Sequence, residues 1–600
     1  MMVDPTVCKS VIKAVLVLVL MAFAAPSRAQ FSDEWINFGQ TYYKIPVAQT
    51  GIYRLTYADL QTAGVPLSGI DPRRINLFHR GQEQAIFVSG ENDAVFDPAD
   101  YIEFYGRRND GTLDVDLYKS GAQPHAYYNL YSDTAAYFLT WNPLPVLGKR
   151  MSTFFQPNAA GLVKADYAYE EKLVLLTNSY AYGLTLGEEI EDTAFDLGEG
   201  WTGPGVCVGS GGCIGFTDIT IGNVTGQFNS AGGPELEVLL LGQSDQSHSI
   251  NVFAGPTGGA ARLVTTTTLN GYGAIKLQMS LNWSDIGSDG KLVVRAQLIS
   301  NGVRDQISVS YVRLLYARNF DLAGTSEKTM SLEPDANGKS YTVLTNAPAN
   351  ARVWDITNPQ YVGVLGTTAV AGGTGVVIDG TNIQRSIYIA SSTLSSTLRK
   401  VSFRSIQAST AEYVIVTHHS LRKSALGYPD PVQAYAGYRA SAAGGHYDTL
   451  VMNMDQLYDQ FNYGETSPRA IFQFAKYLVN GGHTRFLFLI GKGLDVTQGF
   501  YRDTAITPAD YHDLVPTAGW PASDMAFSAG LQGIPYAPAI PTGRLTASTA
   551  DQVAGYLNKI KETEAAPFDA LWRKNLLHLS GGIHEGEPAR FFVGFDFSGA

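Results

Sequence analysis

The feature that most constrains the fold of this chain is a change of hydrophobic pattern near residue 410. Before that point, short apolar stretches alternate with polar residues and are separated by Gly, Asn, Asp and Ser. After it, continuous apolar runs alternate with helical patterns. The apolar runs are residues 413–417, 447–452, 485–491 and 575–579, and the helical patterns are residues 431–440, 467–478 and 549–564. Such alternation predicts a mostly parallel sheet that helices cover on both faces.

The region before residue 410 is predicted to be all-β. The chain has 600 residues, of which 45% are hydrophobic and 16% are charged, so several large cores are expected and disorder is not expected. The strand pattern divides this region into a compact β domain at 30–165, a β-sandwich or jelly roll at 166–324, and a further β domain or linker at 325–407. The α/β part then occupies residues 408–600.

The N-terminus has the pattern of a secretory signal peptide. Lys9 and Lys13 precede an apolar run at 14–25, and the small residues around Arg28 predict cleavage after Ala29. A membrane anchor is the alternative, but twelve apolar residues are too few to cross a bilayer. No later run is long enough, so the sequence predicts an exported protein without a transmembrane helix. The net charge of −12 argues against nucleic acid as a partner.

Two cysteines remain after the predicted leader, Cys207 and Cys213, in a Gly-rich segment. In an exported protein the pair predicts one disulfide that closes a small loop. The alternative is that one of them is a nucleophile, but neither precedes a helix pattern or has a His nearby in sequence.

Candidate ligand residues follow the predicted parallel strands, because such sheets bind ligands beyond the carboxyl ends of their strands. Thr417, Gly491 and Ser580 mark those ends. In the pair His418-His419, one histidine could be a site residue. The alternative is that a histidine at the end of the strand caps backbone groups. The Gly-Lys-Gly segment at 491–493 lacks the Walker pattern, which argues against a phosphate loop.

Metal ligands are not strongly indicated. The cluster His578, His584, Glu585 and Glu587 matches no standard zinc spacing. Acidic stretches at 188–199 and 91–97 carry the carboxylates that Ca²⁺ prefers, with a solvated loop as the competing interpretation. The sequence therefore predicts no required cofactor and no metal site, with Ca²⁺ retained only as a structural ion.

Asp524 is the candidate substrate-binding residue. It follows a loop rich in Pro and Gly after the strand that ends at Gly491, on the face where a substrate would bind. A carboxylate at that place could pair with a basic substrate side chain, or it could make local bonds within its own turn.

Several segments resemble the gingipain family of cysteine peptidases, and within it the sortases of the type IX secretion system of Bacteroidetes. They are WINFGQTYYK (35–44), FHRGQE (78–83), GEND (90–93), YIEFYG (101–106), YVIVTH (413–418), FLIG (488–491), Ser523-Asp524 and PTGRL (541–545). The resemblance implies a caspase-like α/β fold and a His–Cys dyad in which imidazole activates a thiolate. It also assigns Asp524 to the pocket that receives the substrate side chain before the cut bond.

The family's dyad uses a His followed by Gly and a Cys that ends the next strand. In this sequence no His precedes Gly and no Cys follows Cys213. We therefore expect no catalytic residue within these 600 residues, a dyad beyond residue 600, and no activity from this portion alone. Lys492 also departs from the family, where an acidic residue often follows the strand-end Gly.

The resemblance implies an exported endopeptidase or sortase that acts on proteins at the outer membrane, at the cell surface or outside the cell. Its implied partners are protein substrates, with secretion-system cargo and outer-membrane components among them. The alternative is a non-catalytic surface protein whose β domains bind a partner and whose α/β part is a scaffold.

Overall fold

The computed structural model describes residues 31–154, 158–184, 194–209, 211–299, 303–494, 496 and 513–574. The predicted leader, the predicted strand at 575–579 and the cluster from His578 to Glu587 lie outside the described residues. Among the helices that are described, none has both the length and the apolar content needed to cross a bilayer.

The described part of the chain is mostly β. Its strands in chain order are β1 Tyr42–Val47, β2 Gly51–Thr56, β3 Ile75–His79, β4 Gln82–Gln84, β5 Phe87–Val88, β6 Tyr101–Gly106, β7 Ala135–Trp141, β8 Ser152–Phe154, β9 Ala168–Leu175, β10 Ser179–Ala181, β11 Gly200–Thr202, β12 Val206–Val208, β13 Phe216–Ile221, β14 Glu235–Gly242, β15 Ser247–Gly255 and β16 Arg262–Asn270. They continue with β17 Ala274–Ser280, β18 Leu292–Leu298, β19 Asp305–Arg318, β20 Glu327–Leu332, β21 Lys339–Leu344, β22 Arg352–Asp355, β23 Gly363–Leu365, β24 Thr367–Val370, β25 Gly373–Asp379, β26 Arg385–Ala390, β27 Arg399–Val401, β28 Tyr413–Thr417, β29 Thr449–Asn453, β30 Phe486–Ile490 and β31 Thr542–Leu545. The α-helices are α1 Tyr57–Thr62, α2 Pro431–Ala440, α3 Met454–Phe461, α4 Arg469–Gly481 and α5 Ala550–Ala565.

Residues 31–154 form the N-terminal β region, built on two small sheets. One has the strand order β27-β1-β7-β3-β4 and the other β2-β6-β5. Their facing sides share a core in which Ile45 and Leu139 meet Leu55 and Phe104. This arrangement agrees with the compact β region that the period-two pattern predicts.

The next β region is a sandwich. The four-stranded sheet β13-β18-β15-β16 packs on a ten-stranded sheet that contains β14 and β19. Alternate residues of β18 are buried, and Val294 contributes to the core with Val238 of β14 and Ile250 of β15. The Thr-rich β16 was not among the predicted strands, because most of its side chains remain exposed or half-exposed and carry no apolar signal.

Sheet pairing crosses two of the predicted domain boundaries. In the ten-stranded sheet, β9 pairs with β20 and β8 pairs in parallel with β23, so this one sheet takes strands from all three predicted β domains. Farther along the chain, β27 pairs with β1, which returns residues 399–401 to the N-terminal β region. The segment 325–407 is thus built into both neighbours.

The C-terminal part is the predicted α/β unit. Its sheet has the order β29-β28-β30-β31, and every pairing is parallel. Successive residues of β28 point to opposite faces: Val414 and Val416 pack toward α3 and α4, whereas Ile415 packs toward α2 and α5. Burial on both faces explains why these strands are continuous apolar runs.

Local signals position the helices. Asp430 caps α2 by accepting from the Gln433 N–H, and Pro431 occupies the first helical position. Thr549 and Gln552 form a capping box at the start of α5. Gly482 ends α4 with φ of 75°, a conformation that glycine adopts without strain.

Buried ion pairs join the N-terminal β region to the α/β unit. Arg80 donates to both carboxylate oxygens of Glu465 at 2.9 and 3.2 Å, and Lys44 lies 2.7 Å from Asp459. Burial raises the pKa of Glu465 above its ordinary value, and the Arg80 guanidinium acts in the opposite direction. Because one-sided loss of such a pair leaves a buried charge, these contacts hold the two regions in one arrangement.

Candidate functional site

The candidate site is the edge of the parallel sheet at the carboxyl ends of β28, β30 and β31. The chain leaves these strands at His418, Gly491 and residue 546 respectively. Sheets of this kind bind ligands along this edge.

His418 and His419 follow β28, and both contact nearby side chains or backbone groups. The His418 ring Nδ1 accepts from the Ser420 N–H at 3.3 Å and lies 2.7 Å from its hydroxyl, so the side chain caps a short turn. His419 is exposed, with Nδ1 3.2 Å from an oxygen of Asp455. These contacts favour the capping interpretation. Beside them, His418 lines an open cleft of about 410 Å³ with Lys423 and Asp551.

The Gly-Lys-Gly segment after β30 is a close-packing element. The Lys492 carbonyl accepts from the N–H groups of Leu514 and Val515. A Cβ on Gly491 would lie 2.7 Å from Val515 Cγ2, and one on Gly493 would lie 2.7 Å from the Val515 carbonyl oxygen. The glycines therefore allow two backbone segments to touch, which explains the segment without a phosphate ligand. Asp495, the last residue of the motif, lies outside the described residues.

Asp524 is bound by Arg544 of β31. Arg544 Nε and Nη2 donate to the two carboxylate oxygens at 2.7 and 2.6 Å. The same guanidinium donates to the carbonyls of Gly491, Val515 and Pro516, at 2.7, 2.6 and 3.0 Å. The contacts match the competing interpretation, in which Asp524 braces its own loop. Its specificity role stays a prediction.

Arg544 is the residue that sequence reasoning missed. It lies in the quoted PTGRL segment, but a strand pattern does not show which distant carbonyls an arginine reaches. All five guanidinium N–H directions are used in the clamp, which makes Arg544 a positioning residue for the sheet edge.

Cys207 and Cys213 form a disulfide in the structure, with Cα atoms 5.1 Å apart. Cys207 lies on β12, which pairs with β19 of the sandwich, so the pair is not part of the parallel-sheet edge. Both sulfurs are therefore engaged in the bridge.

Among the described residues, no group of three or more metal-binding side chains is close enough to hold an ion. Asp196 pairs with Lys119 at 2.7 Å, and Glu91 pairs with Arg150 at the same distance. Glu199 accepts from the Tyr180 hydroxyl at 3.0 Å. Residues 188–192 of the acidic stretch lie outside the described part, and Ca²⁺ stays an untested expectation.

Comparisons with known proteins bear on this geometry. The model of peptidase family C25 matches residues 406–595, the segment that contains the parallel sheet. The structure of dimeric latent PorU from Porphyromonas gingivalis aligns with a TM-score of 0.56 and 15% identity, over 87% of this chain and 49% of PorU. This chain thus shares the PorU fold and spans about half the length of that protein. The resemblance to gingipain-family peptidases is confirmed on these two findings.

Two other structures align only weakly. The carbohydrate-binding module CBM36 in complex with calcium and xylotriose has a TM-score of 0.14 and 11% identity, over 24% of this chain and 98% of the module. The CBM36-1 domain of a multidomain xylanase from the hindgut metagenome of Trinervitermes trinervoides has a TM-score of 0.14 and 10% identity, over 24% and 95%. TM-scores this low do not indicate a shared fold. No curated protein sequence matches the chain.

Proposed function

We propose that this chain is the N-terminal portion of an exported cysteine endopeptidase of the gingipain type, with sortase activity at the cell surface. The observation that carries the proposal is the coincidence of the all-parallel sheet with the match to peptidase family C25 at residues 406–595. The fold shared with PorU supports the same assignment for the β regions that precede the sheet.

In this proposal the described residues build the substrate-binding edge, and residues after 600 supply the dyad. A thiolate would attack the scissile carbonyl, and an imidazole would take and return the proton. Cys207 and Cys213 are engaged in a disulfide, so neither is available as a nucleophile. The clamp around Arg544 holds the edge in one arrangement before substrate arrives, which favours catalysis by limiting reorganisation.

Proteins are the proposed substrates, and secretion-system cargo and outer-membrane components are the proposed partners. The predicted signal peptide and the oxidised cysteine pair support an exported location. The preference of Asp524 for a basic substrate residue, which the family resemblance implies, is not needed for this proposal and is tested separately below.

The test is cleavage by the complete gene product. The full-length protein should cut an internally quenched peptide library, and alkylation with iodoacetamide should abolish the activity. In a second experiment, Ser replaces the strand-end Cys that is expected after residue 600. This variant should lose the activity and keep the melting temperature of the wild type, which shows that the loss is not due to unfolding. Activity that survives both treatments would contradict the proposal.

A non-catalytic surface protein is the second candidate. The specific observation in its favour is that both cysteines between the predicted leader and residue 600 are bridged. A downstream sequence without a His-Gly pair and a strand-end Cys would support this candidate.

A further inference from the structure

A cleft of about 450 Å³ opens between the N-terminal part of the molecule and the loop after β30. Leu117 and Phe195 line it from the β regions, and Met525 and Tyr536 line it from that loop. Phe472 of α4 also lines it. The volume lies within the range of ordinary ligand pockets, which begins at about 300 Å³.

The described residues that line the cleft are mostly apolar. Among the described residues that line it, Asp116 is the one charged side chain. Arg469 donates to Asp116 Oδ2 at 2.8 Å and Gln473 donates to the same oxygen at 2.9 Å. An acidic ligand side chain brought beside Asp116 would therefore lose water next to a carboxylate of the same sign.

The loop wall presents large apolar side chains to solvent. Met525 is 50% exposed and Tyr536 is 71% exposed, although both line a concave surface. Exposed apolar side chains that cluster beside a cleft commonly mark a binding surface, whereas single scattered ones do not. The cleft also continues the interface between the β region and the α/β unit, because Asp116 lines the cleft and pairs with Arg469 of α4.

Hydrogen bonds hold the described residues 513–541 of this loop. The Arg544 clamp fixes the loop at Asp524. Farther along, Ser528 Oγ donates to the Ile540 carbonyl at 3.0 Å, and the Gly530 N–H donates to the Ala537 carbonyl at 3.1 Å. A supported loop keeps a pocket open at a defined width, which is what selective binding requires.

We propose that this cleft binds one large apolar side chain of an extended polypeptide, and that Leu117 and Phe195 of the two β regions form part of the pocket. This inference rests on the proposed function for the choice of a polypeptide as ligand. The apolar lining and the carboxylate of Asp116 select against acidic side chains. The β region thereby contributes to substrate selection by the α/β unit.

The test measures binding by the 600-residue chain itself and needs no catalysis. The probes are two pentapeptide amides with Gly at four positions and a central 4-fluorophenylalanine or a central Asp, followed by titration in NMR. The fluorinated peptide should bind at least about tenfold more tightly, the ratio expected for burial of one apolar side chain. The exposed substitution Met525→Asp and the cleft-filling Ala529→Trp should each weaken its binding about tenfold.

Ile534→Asp is the matched control, since Ile534 is 65% exposed in the same loop and does not line the cleft. It should leave binding unchanged. Equal binding of the two peptides, or unchanged affinity in Met525→Asp, would overturn the inference. So would self-association of the chain that Met525→Asp abolishes, because a second copy would then be the occupant. Peptide binding by a full-length protein that cuts nothing would instead reject the proposed function and keep the binding site.

Discussion

Arg544 and Asp524 form a bidentate ion pair across the edge of the parallel sheet, with N–O distances of 2.6 and 2.7 Å. Only 10% of the Arg544 side chain and 21% of the Asp524 side chain are exposed. Since the same guanidinium also reaches the carbonyl at the end of β30, one side chain joins the strand to the loop that follows it.

Breaking this pair from the arginine side should destabilise the protein. We expect Arg544→Ala to lower the free energy of unfolding by about 3 kcal/mol, because it leaves a largely buried carboxylate without its partner. Urea denaturation measures the change. Arg544→Lys should recover only part of the loss, since an ammonium group does not reproduce the planar fork. Full recovery by lysine would contradict the clamp geometry.

Asp524→Asn separates the two interpretations of Asp524. Because Arg544 occupies both carboxylate oxygens, we expect the variant to lower the melting temperature and to leave the ranking of cleaved peptides unchanged in the full-length protein. A library profile of the wild type beside the variant decides the matter. A selective loss of cleavage after Arg and Lys would instead support the specificity role.

Gly493 should not tolerate a side chain. A Cβ there would lie 2.6 Å from Thr517 Cγ2 and 2.7 Å from the Val515 carbonyl oxygen. We expect Gly493→Ala to cost about 1–3 kcal/mol, the usual range for overpacking. Gly543→Ala is the matched control, because its Cβ would meet nothing closer than Phe488 Cδ2 at 3.7 Å. Equal melting temperatures for the two variants would refute the close-approach explanation.

His79 should make the protein acid-sensitive. Burial lowers its pKa to about 3, with the Arg80 and Arg107 charges acting in the same direction. The unfolded chain binds a proton below pH 6.5 that the folded protein rejects, so stability falls as pH drops from 6.5 toward 3. From this group alone we expect a loss of about 2 kcal/mol between pH 8 and pH 5.

The measurement compares urea unfolding at both pH values for the wild type and His79→Gln. The pH-dependent difference between the two proteins isolates the histidine, because other groups titrate in both. The exposed His419→Gln serves as the control and should track the wild type. A parallel pH dependence in all three proteins would show that His79 is not the acid-sensitive group.

The Cys207–Cys213 disulfide should stabilise the sandwich modestly. The bridge closes a loop with a sequence separation of 6, for which chain entropy accounts for about 2 kcal/mol. We expect the double replacement by Ser to lower the free energy of unfolding by that amount. Intact mass after alkylation, with and without prior reduction, verifies the bridge. Alkylation of both thiols without a reductant would exclude it.

Local patterns in the sequence predicted most of the secondary structure of the α/β unit. The helix predicted at 431–440 is α2, and the helix predicted at 549–564 is α5 to within one residue at each end. These elements depend on caps within three residues and on apolar periodicity, and both are legible along the chain. The continuous apolar runs likewise predicted a parallel sheet buried on both faces, which the pairings confirm.

Tertiary structure alone decided how the parts meet and what the candidate residues do. Asp524 and Arg544 are 20 residues apart, and Arg80 and Glu465 are 385 apart, so no local pattern could pair them. The ten-stranded sheet that takes strands from three predicted domains has the same cause, since a strand pattern shows which face is buried but not which strand lies beside it. The sequence by itself determined the kinds of elements, their caps and the faces they bury. Only tertiary packing decided that an arginine holds the carboxylate of Asp524. Packing also decided that two regions of the chain share one apolar cleft. Both outcomes depend on which distant surfaces come together and exclude water.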